Sequence, residues 1–155
     1  KNQVKSGIDC FQLFETYSGI ISNEDYYKLI LPLSTKILLE ARESGVPTIF
    51  FPKNFNEGLK YINKEMCDYV SVDYDISLEY ARNLLDSDVG IQGNMDPKKF
   101  YLEIDQIDNY LDSLIDFGSK NTDWIFNLGH GFRPDIDHNK VKYVVDWIKN
   151  ANWKR

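Results

Sequence analysis

Hydrophobic residues along this chain fall into short β-rich runs that are separated by stretches with helical spacing. Five runs have the apolar and aromatic content typical of β-strands: residues 10–14, 46–51, 69–72, 89–92 and 124–128. Between and after them, apolar residues recur three or four positions apart and predict helices around residues 26–41, 56–64, 77–85, 104–115 and 141–148. This β-α order, repeated five times, predicts a parallel sheet covered by helices.

Several residues mark where these helices begin, bend or end. Ser22, with Asp25 three positions later, predicts a capped helix start, and Asp96 followed by a proline predicts another. The stripe of residues 26–41 is interrupted at Pro32, where we expect a kink or a break into two helices. Gly118 is expected to close the fourth helix. No linker or low-complexity tract divides the sequence, so we expect residues 1–155 to form one domain.

Two α/β architectures fit this order of elements. A doubly wound sheet of five strands suits a chain of 155 residues. A (β/α)8 barrel needs eight strands and usually about 250 residues, so the chain would hold only part of one. On length alone, the doubly wound sheet is the better fit.

Composition narrows the classes of function. The formal charge of −6 and the isoelectric point near 4.9 argue against a general nucleic-acid binder, which would present a basic face. The longest apolar runs fall well short of the ~20 residues of a membrane span. Cys10 and Cys67 are too few and too far apart for a disulfide framework or a zinc ribbon. We expect Cys10 to be a small buried residue of the first strand.

The most informative segment is Ile-Phe-Asn-Leu-Gly-His-Gly at residues 125–131. An apolar run leads directly into His130, which Gly129 and Gly131 bracket. Glycine allows a sharp turn or a close approach of the backbone, and α/β proteins keep their chemistry at the carboxyl ends of parallel strands. The segment therefore predicts an imidazole at the rim of the sheet, where it could bind a carboxylate or move a proton.

Five collinear segments resemble the C-terminal part of the uroporphyrinogen decarboxylase family. They read QLFETYSG at 12–19, IFFPK at 49–53, VSVDY at 70–74, IQGNMDP at 91–97 and NLGHGFRPD at 127–135. The resemblance covers roughly residues 6–149. It implies the C-terminal five βα units, strands four to eight, of a (β/α)8 barrel of the TIM type, with strands one to three absent.

The resemblance also implies a function. The family removes carbon dioxide from the four acetate side chains of uroporphyrinogen and gives coproporphyrinogen, as a homodimer without a cofactor or metal, in the cytoplasm or in plastids. Its substrate-binding arginines, the aspartate that faces the pyrrole nitrogens and a tyrosine belong to the absent units. The resemblance therefore implies that the intact enzyme is a carboxy-lyase and that the isolated chain is inactive.

Three residues of this chain match substrate-binding positions of the family. His130 matches the active-site histidine, Thr16 a position that is usually serine, and Phe14 an aromatic that lines the cleft. Arg133 stands where the family more often has an apolar or aromatic residue. The chain supplies no catalytic residue that can be matched, because the family's aspartate lies in the absent part.

Other interpretations of the same residues are open. A zinc-dependent corrinoid methyltransferase shares the fold, but it needs a His-x-Cys pair where residues 51–54 read Phe-Pro-Lys-Asn. A non-catalytic barrel fragment would instead bind a partner through its open strand edges. The acidic segment 135–138, which ends in a histidine, is interpreted as a solvated loop with a helix start at Asp137 rather than a metal site. Asp73 is expected to order the rim by hydrogen bonding, and Asp75 to cap the following helix.

Overall fold

A computed structural model describes residues 1–153 of the chain. Five strands form a single sheet in which every neighbouring pair is parallel. They are β1 (Phe11–Glu15), β2 (Thr48–Pro52), β3 (Tyr69–Ser71), β4 (Gly90–Gln92) and β5 (Trp124–Ile125).

Helices follow each strand and cover the sheet. Within the described residues the α-helices are α1 (Asn2–Lys5), α2 (Asn23–Asp25), α3 (Leu31–Glu43), α4 (Leu78–Leu84), α5 (Ile104–Ser113), α6 (Ile115–Lys120) and α7 (His138–Asn150). Short 3-10 helices lie at Ser18–Ile20, Asn56–Tyr61 and Pro97–Tyr101, and a π-helical turn spans Tyr26–Ile30. None of the helices in residues 1–153 combines the length and the apolar content that a bilayer-spanning segment requires.

The order of strands in the sheet decides between the two architectures. It is β1-β2-β3-β4-β5, the same as the order in the chain. A doubly wound sheet reverses its strand order at a switch point, whereas a (β/α)8 barrel adds each strand beside the preceding one. The sequential order confirms the predicted run of five barrel-type βα units, and β1 and β5 form its two outer edges.

The outer face of the sheet carries the main hydrophobic core. Phe50, Val70 and Ile91 lie at adjacent positions on β2, β3 and β4 and are at most 1% exposed. Helix α5 buries Ile107 and Leu111, which lie four residues apart and therefore on one face of that helix. Burial of these side chains between sheet and helices is the principal stabilising contribution to the fold.

The opposite face of the sheet is more polar. Gln12 and Phe14 alternate with the core residues of β1 and point to this face, because successive side chains of a strand alternate. The ring of Phe14 packs edge-on against Phe51 with centroids 6.0 Å apart. Gln92 lies 4% exposed and donates from Nε2 to Oε1 of Gln12 at 3.4 Å. This face is where a ligand can meet polar groups inside an otherwise apolar structure.

The predicted strands were correct in number and order but not in every boundary. The fifth strand was expected at residues 124–128, yet regular pairing ends at Ile125 and resumes only at a single bridge between Met95 and Leu128. Gly93 is the reason, because its φ of +132° turns β4 away from extended geometry at that point. Cys10 was expected inside the first strand, but it is exposed and precedes Phe11, the first paired residue.

Helix details also differ from expectation. The apolar stripe predicted over residues 26–41 is only partly correct. Tyr26, Leu38 and Ala41 are buried as expected, whereas Leu29, Leu33 and Ile37 are exposed. The π-helical turn changes the phase of the helix, and α3 buries Leu31 in addition.

Pro32 sits in the first turn of α3, directly after the π-helical turn. The predicted break into two helices is wrong, because residues 23–43 are helical without interruption and pass from π to α geometry just before Pro32.

Two of the expected helix boundaries are wrong. Gly118 does not close a helix: α5 ends at Ser113 and Gly118 lies inside α6. Ser77, not Asp75, caps α4 by accepting the Tyr80 amide. The predicted helix around residues 56–64 is a 3-10 helix, Asn56–Tyr61.

Candidate active site

A cavity of about 440 Å³ opens between the face of the sheet that carries Gln12 and Phe14, the segment after β5, and α7. Its wall is mainly aromatic and aliphatic, with a few polar groups. The residues are Gln12, Phe14, Phe51, Ser71, Phe100, Phe126, Asn127, Leu128, His130, Gly131, Phe132, Val141, Val144 and Val145. An apolar enclosure with a small number of polar side chains is the usual composition of a small-molecule site.

The structure brings two of the three predicted substrate-binding residues into this cavity. His130 is exposed at its rim and also lines a neighbouring cleft of about 290 Å³. Phe14 is 66% exposed and forms part of the cavity wall. Thr16 lies in the turn after β1, exposed, and is outside the described lining of the cavity. All three stand at the carboxyl ends of their strands, but only His130 and Phe14 share one enclosure.

The segment that follows β5 is held in place by main-chain hydrogen bonds to the segment that follows β4. Gly93 N–H donates to the Ile125 carbonyl, Met95 N–H to that of Asn127, and Gly129 N–H to that of Met95, each at 3.0 Å. A Cβ on Gly129 would lie 2.3 Å from the Tyr74 nitrogen, closer than any real contact. Only glycine allows this approach, so His130, the next residue, is placed by direct backbone contact with the end of β3.

Asp73 lies buried beneath the same rim. It is 2% exposed, and its Oδ2 accepts the Asn54 amide at 2.6 Å. Burial raises the pKa of the Asp73 carboxyl and Asp75 adds to the effect, whereas the Asn54 amide, Lys53 and His130 oppose it. The prediction that Asp73 orders the rim by hydrogen bonding is confirmed.

Sequence reasoning assigned no role to the polar residues inside the cavity. Ser71 lines it at 3% exposure, and the Gln12–Gln92 amide pair lies on the same face of the sheet. The sequence does show a polar side chain within each of these short apolar runs. Because a polar group in a buried strand needs a hydrogen-bond partner, this pattern could have predicted a polar contact inside the sheet. These groups, together with the imidazole of His130, can orient a ligand that carries acceptors.

Metal ligation has no support in residues 1–153, which contain no group of three or more His, Cys, Asp or Glu side chains placed to hold an ion. Asp137 instead caps α7 by accepting the Asn139 amide, as expected for a loop that leads into a helix. Cys10 and Cys67 are both free, and neither lines the described cavity. The site is therefore built from an imidazole, amides, hydroxyls and aromatic rings.

Comparison with known proteins agrees with this geometry. The model of the family described as uroporphyrinogen decarboxylase matches residues 1–151. The chain belongs to the uroporphyrinogen decarboxylase family. That membership confirms the resemblance drawn from the five collinear segments.

Curated members of the uroporphyrinogen decarboxylase family show the same relation. The chain is 34% identical over 150 residues to the uroporphyrinogen decarboxylase of Francisella philomiragia, an alignment covering 95% of the chain and 44% of that protein. It is 32% identical over 148 residues to that of Vesicomyosocius okutanii, covering 94% and 43%. It is 30% identical over 152 residues to that of Geobacter sulfurreducens, covering 98% and 45%. The chain thus spans less than half the length of these relatives.

Proposed function

We propose that the intact protein containing this chain is a uroporphyrinogen decarboxylase, a carboxy-lyase that converts uroporphyrinogen to coproporphyrinogen. The observation that carries the proposal is family membership over residues 1–151, with His130 and Phe14 lining one cavity at the carboxyl ends of the strands. In this proposal, residues 1–155 belong to one barrel domain and contribute strands four to eight.

The residues of this chain suit the binding of a flat, carboxylate-bearing macrocycle. Phe14 and Phe51 give an aromatic wall against which a pyrrole ring can pack. His130 can bind an acetate or propionate carboxylate as imidazolium, or move a proton. The Thr16 hydroxyl, at the same end of the sheet, can hydrogen-bond a second carboxylate near the mouth of the cavity.

Decarboxylation of a pyrrole acetate needs a proton on the ring, so that the electron pair of the breaking C–C bond moves into the ring as carbon dioxide leaves. The cationic intermediate requires a carboxylate in a low-dielectric site, and the substrate's own carboxylates require arginines. The resemblance assigns that aspartate and those arginines to the first three βα units. We therefore propose that the isolated 155-residue chain has no turnover.

The remaining features of the proposal rest on the resemblance. They are a homodimeric assembly, activity without cofactor, the absence of nucleic-acid and membrane partners, and a cytoplasmic or plastid location. A corrinoid methyltransferase would need a His-x-Cys pair, and residues 51–54 read Phe-Pro-Lys-Asn. A non-catalytic fragment would bind a partner through the open edges at β1 and β5. Neither alternative would decarboxylate a porphyrinogen, so the experiment that follows distinguishes the proposed function from both.

Turnover of uroporphyrinogen by the full native polypeptide tests the function, and the His130→Gln variant tests the site. We expect the variant to lose about tenfold to a hundredfold in kcat/KM and to release partly decarboxylated porphyrinogens, because a hydrogen bond to a charged group contributes about 1.5–3 kcal/mol. His138→Gln is the matched control, since the side chain of His138 is 90% exposed at the start of α7.

The two measurements test the function and the site independently. Absence of turnover in the wild-type polypeptide would refute the proposed function. Wild-type rates and a wild-type product pattern in His130→Gln would refute the assignment of His130 and leave the function standing.

A further inference from the structure

Asp73 occupies a special place in the chain because it is the one carboxyl side chain that is buried within residues 1–153. Ionised carboxylates are costly to bury, so a buried one needs hydrogen bonds or cations around it. It follows β3 directly, after Val72, and lies under the rim at which Thr16 and His130 stand. One set of its contacts connects it to the turn that holds Thr16, and another connects it to the segment that holds His130.

The first set of contacts leads from Asp73 to the end of β1. Its Oδ2 accepts the Asn54 amide at 2.6 Å, and Asn54 adopts a φ of +59°, an uncommon geometry for a residue with a side chain. Gly19 packs directly on Asn54, since a Cβ on Gly19 would lie 2.3 Å from the Asn54 Cβ. Asn54 thus supports the short 3-10 helix Ser18–Ile20 that follows Thr16.

A second bond fixes the same turn from the side of β2. The Ser18 hydroxyl donates to the carbonyls of Lys53 at 2.5 Å and Glu15 at 3.1 Å, and Lys53 N–H donates back to the Glu15 carbonyl at 3.0 Å. Thr16 lies between Glu15 and Ser18, so its main chain is enclosed by this set of bonds. The position of Thr16 therefore depends on the turn at residues 53–54, which Asp73 holds.

The other set of contacts leads from Asp73 to the end of β5. The Asp73 carbonyl accepts the Asn94 side-chain amide at 2.7 Å, which ties β3 to β4. Gly129 packs on the peptide that follows Asp73: its Cβ would lie 2.9 Å from the Asp73 carbonyl carbon and 2.3 Å from the Tyr74 nitrogen. His130 comes next, so a shift of the Asp73–Tyr74 peptide would move the imidazole.

The hydrogen bond, and not charge pairing, fixes the position of the carboxyl group. Burial raises the pKa of Asp73, and the exposed Asp75 adds to this effect. The Asn54 N–H is the strongest of the groups that oppose it, ahead of Lys53 and His130. The bond to Asn54 is therefore the contact that offsets most of the cost of burying this group.

We propose that Asp73 is a positioning residue that fixes Thr16 and His130 relative to each other. Its side chain anchors the main-chain N–H of Asn54 on one side, and this anchor holds its own main chain in place against Gly129 on the other. It acts through these neighbours and not by contact with substrate. The proposal rests on the proposed function in one respect, that Thr16 and His130 bind carboxylates of one substrate molecule.

The test replaces Asp73 in the full native polypeptide with alanine and with asparagine. Asp73→Ala leaves the Asn54 amide without its acceptor, whereas Asp73→Asn keeps an oxygen of the same reach. We expect Asp73→Ala to lose about tenfold to a hundredfold in kcat/KM, since displacement of a binding group by about 1 Å has effects of that order. Asp73→Asn should stay within about threefold of wild type. Asp75→Ala, at an exposed site two residues on, is the control and should match wild type.

A second measurement does not need a porphyrinogen. In amide NMR spectra recorded well below the unfolding temperature, Asp73→Ala should shift the signals of residues 16–19, 54 and 129–131. It should leave α7 unchanged, and Asp73→Asn should shift these signals less. A purely structural role would lower the unfolding temperature without this pattern. If Asp73→Ala does not fold, Asp73→Ser, whose hydroxyl falls short of the Asn54 amide, replaces it.

Each result has a defined meaning. Wild-type kcat/KM for Asp73→Ala, or signals at 129–131 that do not move, would overturn the proposal. An equal loss in Asp73→Asn would also overturn it, because charge and not the hydrogen-bonded position would then be responsible. If wild type has no turnover, the proposed function fails, and the NMR pattern still decides whether Asp73 fixes the two strand ends.

Discussion

Gly129→Ala is the sharpest single test of how the rim is built. The added Cβ would lie 2.3 Å from the Tyr74 nitrogen and 2.9 Å from the Asp73 carbonyl carbon. Ordinary van der Waals contact for a Cβ begins near 3.4 Å, so the end of β5 or of β3 must move by about 1 Å. Both opposing atoms belong to the backbone and cannot rotate away as a side chain could. The change is therefore a case of overpacking, which costs about 1–3 kcal/mol.

The variant Gly131→Ala provides a matched control two residues along the same segment. A Cβ on Gly131 meets no heavy atom of the described residues within 4 Å. Its free energy of unfolding should stay within about 0.5 kcal/mol of wild type, as for most substitutions at open sites. Both variants lose a glycine, but only Gly129→Ala introduces a clash. The difference between their free energies of unfolding therefore measures the effect of the clash.

Urea unfolding followed by tryptophan fluorescence measures the difference between the two variants. We expect Gly129→Ala to unfold at a lower urea concentration than Gly131→Ala, with the same slope. On the proposed function, a displacement of His130 by about 1 Å should also reduce kcat/KM of the full polypeptide for uroporphyrinogen by about a hundredfold. Coincident unfolding curves for the two variants would refute the close contact between β5 and β3 and, with it, our account of how His130 is placed.

Two further predictions concern stability. Leu111→Ala, at a fully buried site in α5, should lower the free energy of unfolding in urea by about 2–5 kcal/mol. Val145→Ala, at a site 41% exposed, should lower it far less. Equal losses in the two variants would contradict the assigned core. Burial disfavours the ionised form of Asp68, but the Thr48 amide, Lys64 and Arg42 outweigh it and lower the pKa of this carboxyl. The resulting stabilisation is present above the ordinary Asp pKa of about 3.9 and is lost as pH falls through the pKa of the folded state. Asp68→Asn lacks this ionisable group, so its free energy of unfolding should fall less steeply in acid than that of wild type. The same acid dependence in Asp68→Asn and wild type would refute the contribution of Asp68.

The order of elements was predictable from the sequence because each strand is a compact apolar run with a helical stripe after it. Val70 and Ile91 stand in such runs, and both pack in the core. Boundaries were less predictable, since they depend on partners. Cys10 precedes an apolar run but has no strand beside it, because pairing begins with Phe11 and Thr48. The exposure of Leu33 depends on a π-helical turn, which leaves no clear mark in the hydrophobic pattern.

The candidate site was predictable where a local motif carries it. Gly-His-Gly placed His130 at a strand end, and the structure shows that Gly129 is required for a close approach of two backbones. The amide pair of Gln12 and Gln92 joins residues 80 positions apart, and hydrogen bonds over such distances cannot be deduced from local spacing. For Asp73, the sequence predicted only that its side chain would form a hydrogen bond at the rim, and not that it lies between two strand ends.

The sequential strand order has a consequence for how such a barrel can be assembled. Each strand pairs only with the strand before it and the strand after it in the chain, so one strand pairing joins each βα unit to the next. Cutting the polypeptide in the loop between two units removes one covalent connection and leaves every strand beside its sequence neighbours. We therefore expect a barrel of this order to tolerate division into two complementary polypeptides at a loop between units, with their association replacing the covalent connection.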